Sequence, residues 1–494
     1  MTKRKKKTTF ERLSGMNRQQ RKELQRRLYS GDPGLEVVHP DAAGIDIGND
    51  SHFVAVAPSR DGQPVREFGS WTADLEKMAE WLKACGIRTV AMQSTGVYWF
   101  AVQDTLERHG LEVFLVNARH TRNLPGRKTD VQESQWLLKL HTYGLLRNSF
   151  RPPEEIRKLR SIWRLRDRHV GESARAVQHI QKALISMNVR LANAISDISG
   201  TSGMAIIRAM LGGERDPIKL AALRDRRVRA TEKEVALSLE GVWQDDHLFE
   251  LEQAVDMYDF QQKLLAGCDR KLESYLAALP AREIAAADKQ AAPEEEPVVT
   301  GESADGKKGK RKRHKGKRTS GNAPKSFDLR AELKRVCGVD LTRVDGLDVM
   351  VVQTVIAEVG PDLGSRFASE GHFTSWLRAC PRPDISGGKV IRQTREPSSG
   401  RIMKGLRMAA SSLLRSDSHL GAKYRHLRIR LGAPKAIKAM ARQLACIIYR
   451  LLTKGHAFVD AGAEQFELKR KEHELARLKA RANSMGLQVV PIPV

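Results

Sequence analysis

Three acids and one serine stand out as residues able to do chemistry. Asp130 and Glu133 lie three apart in "GRKTDVQESQWLLKL" (126–140). Read as a helix, that stretch spreads Val131, Trp136, Leu137, Leu138 and Leu140 over one broad side and Gln132, Gln135 and Lys139 over the other. Both acids then fall inside the apolar side, near its N-terminal end. An unpartnered buried carboxylate is costly, and two side by side also repel. Asp46 ends the apolar stretch "GIDIG". If the fold brings it to the other two, three hard oxygen ligands converge as they do around Mg²⁺ (or Mn²⁺). Such a centre activates a nucleophile and a leaving oxygen in phosphoryl transfer. An acid on a first helical turn is also a favourable helix-dipole charge, a reading that would suffice for Asp130 alone. The serine is Ser386 in "PDISGGK" (383–389), where Gly387 and Gly388 let backbone approach a phosphate and Lys389 neutralises it. Most Ser-Gly-Gly loops are only turns, and Ser398 and Ser399 in "REPSSGR" compete for the role.

The elements that must position the acids form an α/β pattern over 41–150. "AGIDIG", "HFVAVAP" and "PVREFGSW" read as strands, "ADLEKMAEWLKACG" as a helix, "RTVAMQ" as a strand, "YWFAVQDTLERHG" as a helix and "LEVFLV" as a strand, followed by the acid-bearing helix. Three strands and then helix–strand–helix–strand–helix is the order of a ribonuclease-H-like fold. In such a sheet the first-strand acid lies near the start of the last helix. Arg119, His120, Arg122, Arg127 and Lys128 crowd before Asp130, a basic loop suited to a scissile phosphate or else simply solvated. Tyr98 and Trp99 read as anchors of a helix to the sheet rather than as base-stacking rings, and His141 as structural.

Beyond this domain the pattern changes. In the region 151–284, Ile156, Trp163, Val170, Val177, Leu184, Leu191 and Ile198 recur every seven residues, and a second seam runs through Leu251, Tyr258, Leu265, Leu272 and Leu279. Heptads held this long predict a long coiled coil that joins copies of the chain as a dimer or tetramer; a helical hairpin within one chain is the alternative. Residues 285–326 form a charged linker whose run "KKGKRKRHKGKR" would bind phosphate backbone or serve as a solvated tether. A mostly helical C-terminal domain follows at 327–462, with a helix-hairpin-helix candidate at 341–360 around Gly346, and then a charged helical tail at 463–494. Residues 1–40 read as a basic arm.

The charge sets the partners. Lys and Arg number 85 against 59 Asp and Glu in 494 residues, a net charge of +26. A field of that size attracts polyanions, nucleic acid first among them. No apolar run approaches the ~20 residues of a membrane span, and the charged N-terminus has no secretory pattern. The five cysteines are scattered without a CxxC, as in a reduced cytoplasmic protein.

Four motifs in order, "GIDIGNDSHFVAVA", "MQSTGVYW", "NARHTRNLPGRKTDVQESQWLLKLHTYGLL" and "WLRACPRPDISGGK", resemble the insertion-sequence transposases with a DEDD, RuvC-like domain. This is the group whose type member is insertion sequence 110, in its second major branch, and the resemblance covers roughly residues 40–460. It implies a RuvC-like domain, a coiled coil and a C-terminal transposase domain whose serine attacks DNA to form a phosphoserine link. It implies donor and target DNA as partners, and a structured noncoding RNA that guides their recognition, in a nucleoid-associated bacterial or archaeal protein. Residue by residue, the first family acid falls on Asp46, the third on Asp130 and the serine on Ser386. The second, normally Glu, falls on Gln93, and the fourth, normally Asp, on Glu133. The set here is therefore Asp-Gln-Asp-Glu, in which Gln93 offers a carbonyl oxygen without charge.

Two other classes compete. "GIDIG" and "DISGGK" could be phosphate loops of an actin- or Hsp70-like ATPase, a fold that needs a second ribonuclease-H-like half. A nonenzymatic nucleic-acid scaffold with a decayed site would explain Gln93.

Overall fold

The computed structural model describes residues 35–93, 96–117, 129–282, 321–380, 382–386, 389–394, 400–455 and 475–488, with isolated positions 19, 23 and 472. The chain forms two compact units, Met1–Arg151 with Ser386–Lys389, and Pro152–Ile385 with Val390–Val494.

The first unit is a five-stranded sheet in the order β3-β2-β1-β4-β5. Its elements are β1 (Ala42–Ile47), β2 (Ser51–Val56), β3 (Val65–Gly69), α1 (Thr72–Ala84), β4 (Thr89–Gln93), α2 (Trp99–Arg108), β5 (Glu112–Val116) and α3 (Asp130–Thr142). This is the element order read from the sequence. β1 to β3 pair antiparallel, whereas β4 and β5 run parallel to β1. Alternation along the strands gives each face its own core. Ile45, Val54, Val90, Met92 and Leu115 share one cluster with Leu75, Met78 and Leu82 of α1 and Val102 and Leu106 of α2. Ala91 and Val116 on the other face pack with Leu137 and Leu140 of α3.

The second unit is helical. α4 (Glu154–Ser186) and α9 (Asp245–Ala278) are its longest helices, and between them lie α5 (Leu191–Ala194), α6 (Thr201–Leu211), α7 (Pro217–Ala222) and α8 (Glu232–Ser238). The two heptad seams meet each other within the chain as an antiparallel hairpin. Arg166 pairs with Asp269, and seven residues on, Ser173 accepts from Gln262 at 2.9 Å. The first seam is not one helix to Gly200, as its spacing predicts. α4 ends at Ser186, Asn188 takes a left-handed φ of 56°, and Met187, Val189, Leu191, Ile195 and Ile198 turn to join one core with the end of α4 (Ile180, Ala183, Leu184) and with α6 to α9.

From residue 321 onward come α10 (Leu329–Cys337), α11 (Val349–Val359) and α12 (Glu370–Trp376), then β6 (Arg382–Ser386) and β7 (Lys389–Thr394) as a two-stranded sheet. α13 (Arg401–Ser412), α14 (His419–Leu431) and α15 (Ala433–Lys454) complete the unit. Arg335 on α10 donates to the carbonyls of Leu276 and Leu279, satisfying the C-terminal end of α9. The segment 341–360 corrects the helix-hairpin-helix expectation. Leu341–Arg343 is a single 3-10 turn, and the helix begins only at Val349, where Asp348 accepts the Val351 amide. Gly346, at φ +87°, lies so close to the Ala409 carbonyl that a Cβ would sit 2.8 Å from it, so this turn is fixed by packing. No described helix is long and apolar enough to cross a membrane.

Candidate active site

The sheet's hydrogen-bond register fixes where the acids stand. Ile45 is level with Met92 in the parallel β1–β4 pair, and both point into the α1–α2 core. The next residues, Asp46 and Gln93, are therefore level with each other and point to the opposite face, the one α3 covers. Gln93 is in turn level with Val116, which packs against α3.

Helix α3 lies across that face at very short range. A Cβ on Gly44 would meet the Leu138 amide nitrogen and the Ser134 carbonyl at 2.3 Å, so only glycine allows the approach. At the far end His141, fully buried, pairs its Nε2 with the Thr89 hydroxyl at 2.9 Å, and Thr89 is level with Ala42. These two contacts give α3 a direction opposite to β1. From Thr89 to Gln93 is ~13 Å along the strand, and from His141 back to Glu133 is ~12 Å along the helix. Glu133 is thus carried to the level of Asp46 and Gln93, with Asp130 about one turn beyond, over the sheet's end.

That geometry corrects the expected burial of the acids. The covered face of α3 is Ser134, Leu137, Leu140 and His141. Val131 is 38% exposed, Asp130 is exposed and Glu133 is half-buried at the flank. The apolar stripe does not set the contact line; the absent side chain of Gly44 does. The first turn is capped by Thr129, whose hydroxyl accepts the Gln132 amide at 3.3 Å, and its two acids face the positive end of the helix dipole.

Asp46 and Gln93 thus share one face and one level, and the helical rise carries Glu133 to about that level at the flank of α3. The described side chains do not, however, close into a metal-holding group of three or more His, Cys, Asp and Glu. Arg119, His120, Arg122, Arg127 and Lys128 lie outside the described residues, as do the tract 307–318 and Ser398 and Ser399. Ser386 ends β6 and Lys389, exposed, begins β7; Gly387 and Gly388 between them are outside the described residues.

His141 is structural, as its sequence position suggests. It stacks on His39 at 4.5 Å and tilts against Phe114, and burial holds its pKa down to about 3. Trp99 packs on the sheet core as expected, but Tyr98 is 45% exposed, which corrects its reading as an anchor. Trp71 and Phe100, also exposed at this end of the sheet, carry no sequence signal beyond an aromatic just past a strand or at a helix start.

Residues 43–188 match a family model of IS110 DEDD transposases, described as Transposase, and residues 340–425 match one described as Transposase IS116/IS110/IS902 family. The first match encloses Asp46, Gln93, Asp130 and Glu133, and the second encloses Ser386 to Lys389. No curated protein matches the chain.

Proposed function

The chain belongs to the DEDD transposases of the IS110 family, and on that footing we propose that it cleaves and exchanges DNA strands through a phosphoserine intermediate at Ser386. Asp46, Gln93, Asp130 and Glu133 would be the oxygen donors of a Mg²⁺- or Mn²⁺-binding site. The observation that supports this reading is the β1–β4 register, which brings Asp46 level with Gln93 on the face that α3 covers. The donor set suits a hard divalent cation, since three carboxylates and one amide carbonyl offer only oxygen. Gln93 lowers the charge of the set by one relative to four acids, so the cation is held less tightly. When bound, the cation neutralises phosphodiester charge and lowers the pKa of an attacking hydroxyl.

In the proposed step the Ser386 Oγ attacks phosphorus. An O–P bond forms as the bond to the leaving strand breaks, the serine proton departs and the leaving oxygen takes one up. Attack by another strand's hydroxyl reverses the step and frees the serine, so the number of phosphate esters is conserved without ATP. Lys389 neutralises the phosphate, Gly387 and Gly388 admit it, and Arg119, Arg122, Arg127 and Lys128 hold the DNA backbone. A structured noncoding RNA guides the choice of donor and target. Copies associate as a dimer or tetramer through the outer side of the α4–α9 hairpin, where Phe249, Met257 and Phe260 are exposed.

Asp130→Ala or Ser386→Ala should abolish recombination of donor and target plasmids in cells and leave DNA binding largely intact. Full activity in either variant contradicts the assignment. Sequencing the RNA that copurifies with the chain tests guidance: one discrete structured species is expected, and a random sample of cellular RNA argues against it. The ATPase reading loses its second sheet, because the strands described in the second unit are those of the β6–β7 pair.

A further inference from the structure

Exposed aromatic rings flank the acid end of the first unit's sheet, and nothing in the proposed chemistry uses them. Among the described residues of that unit, the exposed aromatic side chains are Trp71 at 79%, Tyr98 at 45% and Phe100 at 46%. All three lie at one end of the sheet. Gly69, two residues before Trp71, is level with Ser51, and His52 is level with Ile47, so β3 ends where β1 ends. Residues 96–100 follow the end of β4, close after Gln93. In the strand order β3-β2-β1-β4, Asp46 on β1 lies between the strand leading to Trp71 and the strand leading to Tyr98.

One of these rings is also braced. Phe100 stacks on Trp99 with centroids 4.0 Å apart, and Trp99 packs on the sheet core. Val97, beside them, is 68% exposed. Flat apolar rings exposed to water suit a partner that is itself flat and apolar on its faces. The chain's charge of +26 calls for a polyanion, and the family acts on DNA. A nucleobase in single-stranded DNA meets both requirements, whereas a paired base keeps its faces inside the stack.

We propose that Trp71 on one side, and Tyr98 with Phe100 on the other, stack on unpaired bases of the DNA strand presented to the acid end, holding it open there. This rests on the reading of that end as the DNA-processing site.

The test uses the full-length protein and a single-stranded DNA oligonucleotide carrying 2-aminopurine, whose fluorescence is quenched by stacking. Trp71→Ala, Tyr98→Ala and Phe100→Ala should each weaken binding of the oligonucleotide about 5- to 100-fold and relieve the quench, whereas Trp71→Phe and Tyr98→Phe should stay within about twofold of the parent. Affinity for a fully paired duplex should not change, and thermal unfolding of each variant confirms that it folds. Because binding is the readout, Asp46→Asn and Asp130→Asn separate the two ideas: they should abolish recombination and preserve the quench. Four results would overturn the proposal: absence of quenching, equal losses on duplex and single strand, tighter binding of an RNA of the same sequence, or loss of self-association on replacing the rings, which would assign them to a second copy.

Discussion

His141 ties the acid-bearing helix to the sheet, and its chemistry makes the tie sensitive to pH. Burial favours the neutral imidazole and lowers its pKa from the ordinary 6.5 to about 3. Between those values the unfolded chain binds a proton that the folded chain does not, so stability falls as pH drops below 6.5 and is fully present above it. Urea unfolding of the first unit should show a slope of up to about 1.4 kcal/mol per pH unit from this residue. His52, also buried with a lowered pKa, adds to the same trend. His141→Gln should remove one proton's worth of the slope between pH 5 and 6.5; an unchanged slope would mean that His141 is protonated in the fold. At this scale the sequence revealed residue types but not exposure. Asp46, Asp130 and Glu133 were legible as acids among apolar residues. The exposure of Tyr98 was not, because an aromatic at a helix start faces the core or the solvent according to how that helix lands.

Gly44 does for the elements what His141 does for side chains, since α3 rests on the strand where Gly44 has no Cβ. Gly44→Ala places a methyl 2.3 Å from the Leu138 nitrogen and the Ser134 carbonyl. Such overpacking costs about 1–3 kcal/mol and shifts α3, and with it Glu133, along the sheet. Differential scanning calorimetry should show a lowered transition for the first unit, and strand transfer should fall with it; a parent-like transition would show that the helix can slide without cost. In the hairpin, Arg166 and Asp269 form a buried pair, 3% and 7% exposed. Asp269→Ala leaves a buried unpaired cation and should cost about 3–5 kcal/mol in urea unfolding, while Arg166→Met with Asp269→Leu should recover most of it. If the double variant is no more stable than the single one, the pair is not what Arg166 needs. Strand and helix order were readable because Gly, Pro and polar turns bound each apolar run. The end of α4 was not: Leu191 and Ile198 keep the heptad spacing beyond Asn188 and share a core with Leu184, although the helix has already ended. Nor did the heptads reveal whether their partner was another copy or the same chain, since both arrangements satisfy one pattern.

The first unit carries a sheet with acids at one end and also includes Ser386 and Lys389, the second unit is mostly helical, and the chain has a net charge of +26. The charge and the four ordered motifs made the class legible. The acid level depended on a hydrogen-bond register that no spacing in the sequence encodes. The proposed chemistry requires that DNA be cut by the serine rather than by water activated at the acids, as a ribonuclease-H-like site would allow alone. The direct measurement is to incubate the purified ribonucleoprotein with end-labelled donor DNA and Mg²⁺, denature it, and map any protein-linked strand by mass spectrometry. A DNA adduct on Ser386 is expected, absent in Ser386→Ala and strongly reduced in Asp130→Ala. Cleavage with no adduct, or an adduct on Ser398 or Ser399, would contradict it.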